Sequence, residues 1–123
     1  MSEKIEGIEQ IDVEQLKQWY KNNHSAPYFI DIREPAEYVE GHIPGVPLLP
    51  MQQIPEAAES MKKDESYVLI CRSGSRSQHA AHYLKENGFG QVKNFSGGML
   101  TWDEELQTGM ENPLENINDL YKK

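Results

Sequence analysis

The chain has 123 residues, room for one compact domain around one core, and no composition shift or Pro/Gly/Ser-rich stretch divides it. Its 20 acidic and 12 basic residues give a net charge of −8, which repels phosphate backbones and anionic lipid and argues against nucleic acid or membrane as a partner. The opening Met1-Ser2-Glu3-Lys4-Ile5-Glu6-Gly7 has neither the basic start nor the apolar run of a secretory signal, and no stretch reaches membrane-spanning length, so a cytoplasmic protein is expected.

Strand-like and helix-like segments alternate, the pattern of an α/β domain with a parallel sheet. Asp12-Val13-Glu14-Gln15 has the layout of a capping box and predicts a helix through Leu16, Trp19 and Tyr20. Tyr28-Phe29-Ile30-Asp31 reads as a buried strand entered at Pro27. Pro35 at a first helical position starts a short helix across Ala36 to Glu40, with Gly41 as its stop. Val46 to Leu49 is a candidate second strand, kept short by prolines 44, 47 and 50, and Ile54 to Met61 is helical. Tyr67 to Ile70 reads as the central strand, Ser77 to Asn87 as a helix closed by Gly88, and Val92 to Phe95 as a last strand. Gly97-Gly98 then turns into an expected helix through Trp102 and Leu106.

Chemistry concentrates at the end of the Tyr67 to Ile70 run, where the single cysteine opens Cys71-Arg72-Ser73-Gly74-Ser75-Arg76-Ser77. A lone cysteine often serves as a small buried hydrophobe. Here a Ser-Gly-Ser turn lets backbone N–H groups point inward, a helix begins at once, and two arginines flank the turn, all of which favour a negative sulfur. One cysteine permits no intramolecular disulfide, so chemistry at Cys71 must resolve onto a second molecule. Ligands of open parallel sheets bind beyond the carboxyl ends of strands, and Asp31 and Cys71 both stand at such ends, so the two are expected to face one pocket.

Taken in order, Asp31-Ile32-Arg33-Glu34-Pro35-Ala36-Glu37-Tyr38, Gly41-His42-Ile43-Pro44-Gly45, the Cys71 to Ser77 segment, and Gly97-Gly98 with Trp102 resemble a single-domain rhodanese. The resemblance implies a three-layer α/β/α domain with a central parallel sheet flanked by helices. It would fill residues 1–123, with a core of about 8–108 and an amphipathic tail over 110–123. It further implies that Cys71 is the nucleophile of a sulfurtransferase. Arg72, Ser73, Gly74, Ser75 and Arg76 then form a cradle whose amides hold a transferable sulfur as a persulfide. A thiolate would take the outer sulfur of thiosulfate or a similar small-molecule donor and pass it to cyanide or a thiol, in ping-pong fashion. A protein donor such as a cysteine desulfurase, or a protein acceptor, would make the same chain a persulfide carrier.

Arg72 and Arg76 are candidates for the donor's oxyanion end, with a structural bond toward the sheet end near Asp31 as the alternative for Arg76. Asp31 and Arg33 match the family's Asp-x-Arg and are expected to support the loop. Glu34 and Glu37 are read as helix N-terminal and surface charges, and His42 as a hydrogen-bonded turn residue. His79 and His82 lack a third ligand and are read as surface or packing residues, so neither metal nor cofactor is expected. Trp102 is expected in the core or on the pocket wall, and the tail's spaced apolar residues on one face of a helix that docks on its own domain or contacts a partner or second copy.

Two rival functions remain open at this stage. Phosphatases and arsenate reductases share the rhodanese architecture but enclose their anion in a longer loop than the four residues between Cys71 and Arg76. A non-catalytic binding module would not need the cysteine.

Overall fold

The computed structural model describes residues 3–22 and 27–121, so positions 1–2, 23–26 and 122–123 of the expected domain span lie outside the described residues. Five strands form one sheet in the order β1-β2-β5-β4-β3. They are β1 (Lys4–Ile5), β2 (Ile8–Ile11), β3 (Tyr28–Asp31), β4 (Ser66–Ile70) and β5 (Gln91–Phe95). β2, β5, β4 and β3 run parallel, and β1 adds an antiparallel edge. Four α-helices lie among the described residues: α1 (Val13–Lys21), α2 (Pro35–Glu40), α3 (Ile54–Ala58) and α4 (Ser75–Glu86).

The period of two in β4 divides the core. Tyr67, Leu69 and Cys71 join Ile8, Ile30, Val92 and residues of α3 and α4 on one face, whereas Val68 and Ile70 join Ile11, Leu16 of α1, Phe95 and Trp102 on the other. Both faces of β4 are covered, which is why its sequence is an unbroken apolar run. β4 lies inside the sheet between β5 and β3; the middle position belongs to β5. Asp12 caps α1 by accepting from the Gln15 N–H at 2.9 Å. No helix among the described residues is long and apolar enough to cross a membrane.

Three expected elements take other forms. Val46 to Leu49 is no strand: prolines 44, 47 and 50 have no N–H to give a ladder, and the segment touches β3 through a single bridge, Asp31 to Leu48. The helix expected after Gly97-Gly98 is one 3-10 turn, Gly98–Thr101, because its N–H groups at Met99 and Leu100 donate to the carbonyls of Cys71 and Arg72. Beyond it Trp102 is extended, and Asp103 and Glu104 pair with Lys17 of α1. Neither β1 nor β2 is among the expected strands. Ile5 and Ile8 pair across a Glu6-Gly7 turn whose two residues both have positive φ, 53° and 80°, the conformation a two-residue hairpin requires.

The tail docks on its own domain, as extended chain followed by a 3-10 turn, Ile117–Tyr121, and not as an α-helix. Leu48 donates to the Asn112 carbonyl and accepts from the Leu114 N–H, both at 2.9 Å. Leu114 is buried in the core beside α3, and the Tyr121 hydroxyl meets the Tyr67 hydroxyl at 2.5 Å. Leu114→Ala is therefore expected to lower folding stability by about 2–3 kcal/mol, measured by denaturant unfolding; an unchanged midpoint would mean that the tail contributes no packing.

Candidate active site

β4 delivers Cys71 to the sheet edge on the α4 face, and α4 begins four residues later. Gly74 is the N-cap of α4 with φ of 93°, and a Cβ there would lie 2.1 Å from the Ser96 carbonyl oxygen, so this position admits glycine alone. Glycine has no side chain with which to cap a helix. Cys71 Sγ takes that place: it accepts from the Gly74 N–H at 3.1 Å and from the Ser77 N–H, in the first turn of α4, at 3.3 Å. Both donors, and the positive end of the α4 dipole, stabilise negative charge at this sulfur.

The loop carbonyls are held elsewhere. Those of Cys71 and Arg72 accept from the Met99 and Leu100 N–H groups at 2.9 and 3.0 Å, and that of Gly74 accepts from the Gln78 N–H at 3.1 Å and from Asn94 Nδ2 at 3.0 Å. The close approach of the 98–101 turn explains Gly98, where a Cβ would lie 2.3 Å from the Arg72 carbonyl oxygen. Cys71 itself is fully buried, while Arg72, Ser73 and Ser75 form an exposed rim. Beside the rim lies an open depression with Arg33 and Arg72 on its wall, Glu37 and Glu40 at one side, and Met99, Leu100, Trp102 and Leu106 at the other.

Asp31 and Cys71 do not face one pocket. Asp31 pairs with Ile70 across the sheet and shares its face, whereas Cys71, one residue further on, points to the α4 face. The Asp31 carboxylate closes on Arg33, accepting from Nε at 3.0 and 3.1 Å and from Nη2 at 2.8 Å, with both side chains buried. Arg33 Nη2 also donates to the Gly41 carbonyl at 2.8 Å, which ties the end of α2 to the end of β3.

Arg76 is bound by Glu37 of α2, not by the sheet end near Asp31. Its Nη1 and Nη2 donate to the two carboxylate oxygens at 2.7 and 2.8 Å. Glu37 is thus no mere surface charge, and its Oε1 also accepts from the Glu34 N–H at 3.0 Å. The Arg76 guanidinium brings the Glu37 carboxyl from 4.5 down to about 2. The chain from Asp31 through Arg33, α2 and Glu37 reaches the cysteine loop at Arg76.

His42 is fully buried, stacked on Tyr38, with Nδ1 3.0 Å from the Tyr38 carbonyl and Nε2 2.8 Å from Glu111 Oε1. It is a hydrogen-bonded turn residue that joins the tail to the 42–45 loop. Trp102 serves both of its expected roles, meeting Tyr20 edge-on at 5.7 Å and lining the depression. His79 is exposed, and among the described residues no three His, Cys, Asp or Glu side chains converge as a metal site.

Ser77, Asn94 and Gln10 were not singled out from sequence. Ser77 Oγ lies 3.2 Å from Cys71 Sγ and makes a short bond to Asn94 Oδ1, and Asn94 Nδ2 donates to Gln10 Oε1 at 2.9 Å. The available signal was an amide at the position of β5 that alternates with Phe95 and shares the face of Val92.

Residues 12–105 match the family model of the Rhodanese-like domain. The chain belongs to the rhodanese-like family. It is 48% identical over 80 residues to YtwF of Bacillus subtilis, covering 65% of this chain and 77% of that protein. It is 40% identical over 95 residues to a sulfurtransferase of Allochromatium vinosum, covering 77% and 88%. To the thiosulfate sulfurtransferase GlpE of Pseudoalteromonas translucida it is 38% identical over 73 residues, covering 59% and 70%. Among solved structures, a rhodanese-like domain protein from Staphylococcus aureus superposes with a TM-score of 0.73 at 34% identity, covering 81% of this rhodanese-like chain and 97% of the other.

Glu37 carries the acid dependence of the site. Its folded value lies below its ordinary one, so the pair contributes stability that is complete above about pH 4.5 and lost as pH falls through about 2. Glu37→Gln should remove about 1 kcal/mol at pH 7, a partly exposed pair being screened by solvent, and should flatten the stability profile within that window. An acid limb as steep as that of the wild type would assign the effect to another carboxylate.

Proposed function

We propose that the protein is a sulfurtransferase working through a Cys71 persulfide, with thiosulfate or a similar small anion as donor and a thiol, or cyanide in an assay, as acceptor. The observation that carries this reading is the capping of α4 by Cys71 Sγ, which joins a nucleophilic sulfur to two backbone donors and a helix N-terminus. The Sγ thiolate attacks the outer sulfur of thiosulfate. The Sγ–S bond forms, the S–S bond of thiosulfate breaks, and its electron pair leaves on sulfite. Cyanide then takes the outer sulfur as thiocyanate and returns the thiolate, two half-reactions at one residue.

The negative outer sulfur sits beyond Sγ, within the loop of Arg72, Ser73, Gly74, Ser75 and Arg76. Carbonyls already engaged by Met99, Leu100, Gln78 and Asn94 cannot turn toward that anion, so the loop meets it with N–H groups. Arg72, exposed on the wall of the depression, would receive the oxyanion end of the donor. Arg76, spent on Glu37, is a structural member of the loop, and Asp31 and Arg33 support the loop through α2. The four residues between Cys71 and Arg76 leave space for a sulfur atom more than for a tetrahedral phosphate. Exposed Leu100 and Leu106, 63% and 51% accessible beside Arg72, favour a second reading in which a protein loads or unloads the persulfide.

Intact mass after incubation with thiosulfate tests the mechanism. Reduced wild type should gain one sulfur, lose it to cyanide with release of thiocyanate, and Cys71→Ser should gain none. A folded wild type that stays unloaded would sink thiosulfate as donor and turn attention to a protein. Arg72→Glu should lower kcat/KM for thiosulfate by about tenfold or more through loss of a charge-assisted contact; an unchanged value would remove Arg72 from the donor site.

A further inference from the structure

Ser77 and Asn94 are buried beside the sulfur, and their hydrogen bonds run in one direction. Gln10 Nε2 donates to the Ile8 carbonyl at 2.9 Å, which leaves Gln10 Oε1 to accept from Asn94 Nδ2. Asn94 Nδ2 also donates to the Gly74 carbonyl at 3.0 Å. A backbone carbonyl only accepts, so these contacts fix the orientation of both amides. Asn94 Oδ1 then faces Ser77 Oγ. An amide oxygen carries no proton, so the Ser77 hydroxyl must be the donor in their short bond. Its one proton being spent there, Ser77 Oγ offers Cys71 Sγ, 3.2 Å away, nothing but lone pairs, and the contact at rest is S–H donating to Oγ.

We propose that Asn94 is a positioning residue that acts through Ser77, holding its hydroxyl away from Cys71 so that the Ser77 side of the sulfur suits a neutral Sγ, with the negative charge that the loop N–H groups attract lying one atom farther out. The inference rests on the reading that Cys71 carries the transferred sulfur. An anion on Sγ itself would face the Ser77 lone pairs, or would draw the hydroxyl over and leave Asn94 Oδ1 buried without a donor. In the persulfide Sγ is neutral and the charge lies on the outer sulfur. The network thus favours the loaded protein over the empty thiolate. It orients hydrogen bonds and transports no proton, since an amide oxygen does not hold one at neutral pH. The thiol proton passes to solvent before the attack, and thiolate and thiosulfate then give the anionic persulfide and sulfite.

The charged surroundings of Cys71 stay the same in the variants that test this. Arg72 follows it in the loop, Arg76 of α4 interacts with its charge, and Asp31 and Arg33 close on each other at the end of β3. β2 and β5 present neutral Gln10 and Asn94 to the network, Lys93 lies over Trp19 on the opposite face of the sheet, and the 98–101 turn has no titratable side chain.

Since the chain has one cysteine, the S–H stretch of reduced protein is a single band, readable by infrared spectroscopy. Ser77→Ala is expected to move the band to higher frequency, as the thiol loses its acceptor, and to make it vanish at lower pH. In Asn94→Ala the released hydroxyl donates to sulfur, so the band again moves up and vanishes at lower pH. Adding Ser77→Ala to Asn94→Ala should return the loss to higher pH, so that the sign of the Ser77 effect reverses with Asn94. A band unmoved by Ser77→Ala, its loss at higher pH with Asn94 intact, or no reversal in the double variant overturns the proposal. Should Asn94→Ala fail to fold by circular dichroism, Ser77→Ala alone decides. Sulfur loading is read by mass on the same proteins; a wild type that never loads overturns the transfer reading and leaves the vibrational result standing.

Discussion

The start of α4 lacks a capping side chain, and Cys71 Sγ supplies the missing acceptor. The rest of the site depends on this substitution of sulfur for a cap. It requires glycine at 74, because the backbone must turn left-handed against the Ser96 carbonyl, and it requires β4 to end where the α4 face of the sheet meets the first turn of the helix. A capping oxygen would satisfy α4 equally well, but would bring no sulfur to the same donors. Helix initiation and the placement of the sulfur are here one set of hydrogen bonds.

Around that contact the protein uses its polar groups in two shells of opposite character. Toward the rim the groups are charged: Arg72 is exposed, Arg33 is paired with Asp31, and Glu37 with Arg76, on a molecule of net charge −8. Behind the sulfur, Gln10, Asn94 and Ser77 are uncharged, and each buried donor or acceptor among them is matched. Among the described residues no buried side-chain nitrogen or oxygen is left without a partner. A neutral network does not compete electrostatically with the rim, and it holds orientation where a charged group would alter the sulfur.

Much of this was legible in the sequence, for local reasons. The apolar run before Cys71, the Asp12 cap, Pro35 at the start of α2 and Gly41 after it each act through neighbours a few residues away, and the structure has them as read. Motifs of the same local kind carried the family resemblance. The readings that failed concern segments whose hydrogen bonds go to distant chain. The prolines of 44–50 left Leu48 to pair with the tail, and the residues after Gly98 turned their N–H groups to the cysteine loop instead of to a helix.

The sequence by itself determined that a strand ending in one cysteine runs into a glycine turn and a helix, because propensity, capping and alternation operate within a few residues. Tertiary structure decided which groups meet that cysteine and its loop. Glu37 reaches Arg76 across 39 positions and Asn94 reaches Ser77 across 17, while Asp31, though it ends the neighbouring strand, is turned to the other face by register. Such meetings follow from how the strands are ordered and which face each side chain takes. A shift of one residue in register would reverse them without altering any local pattern.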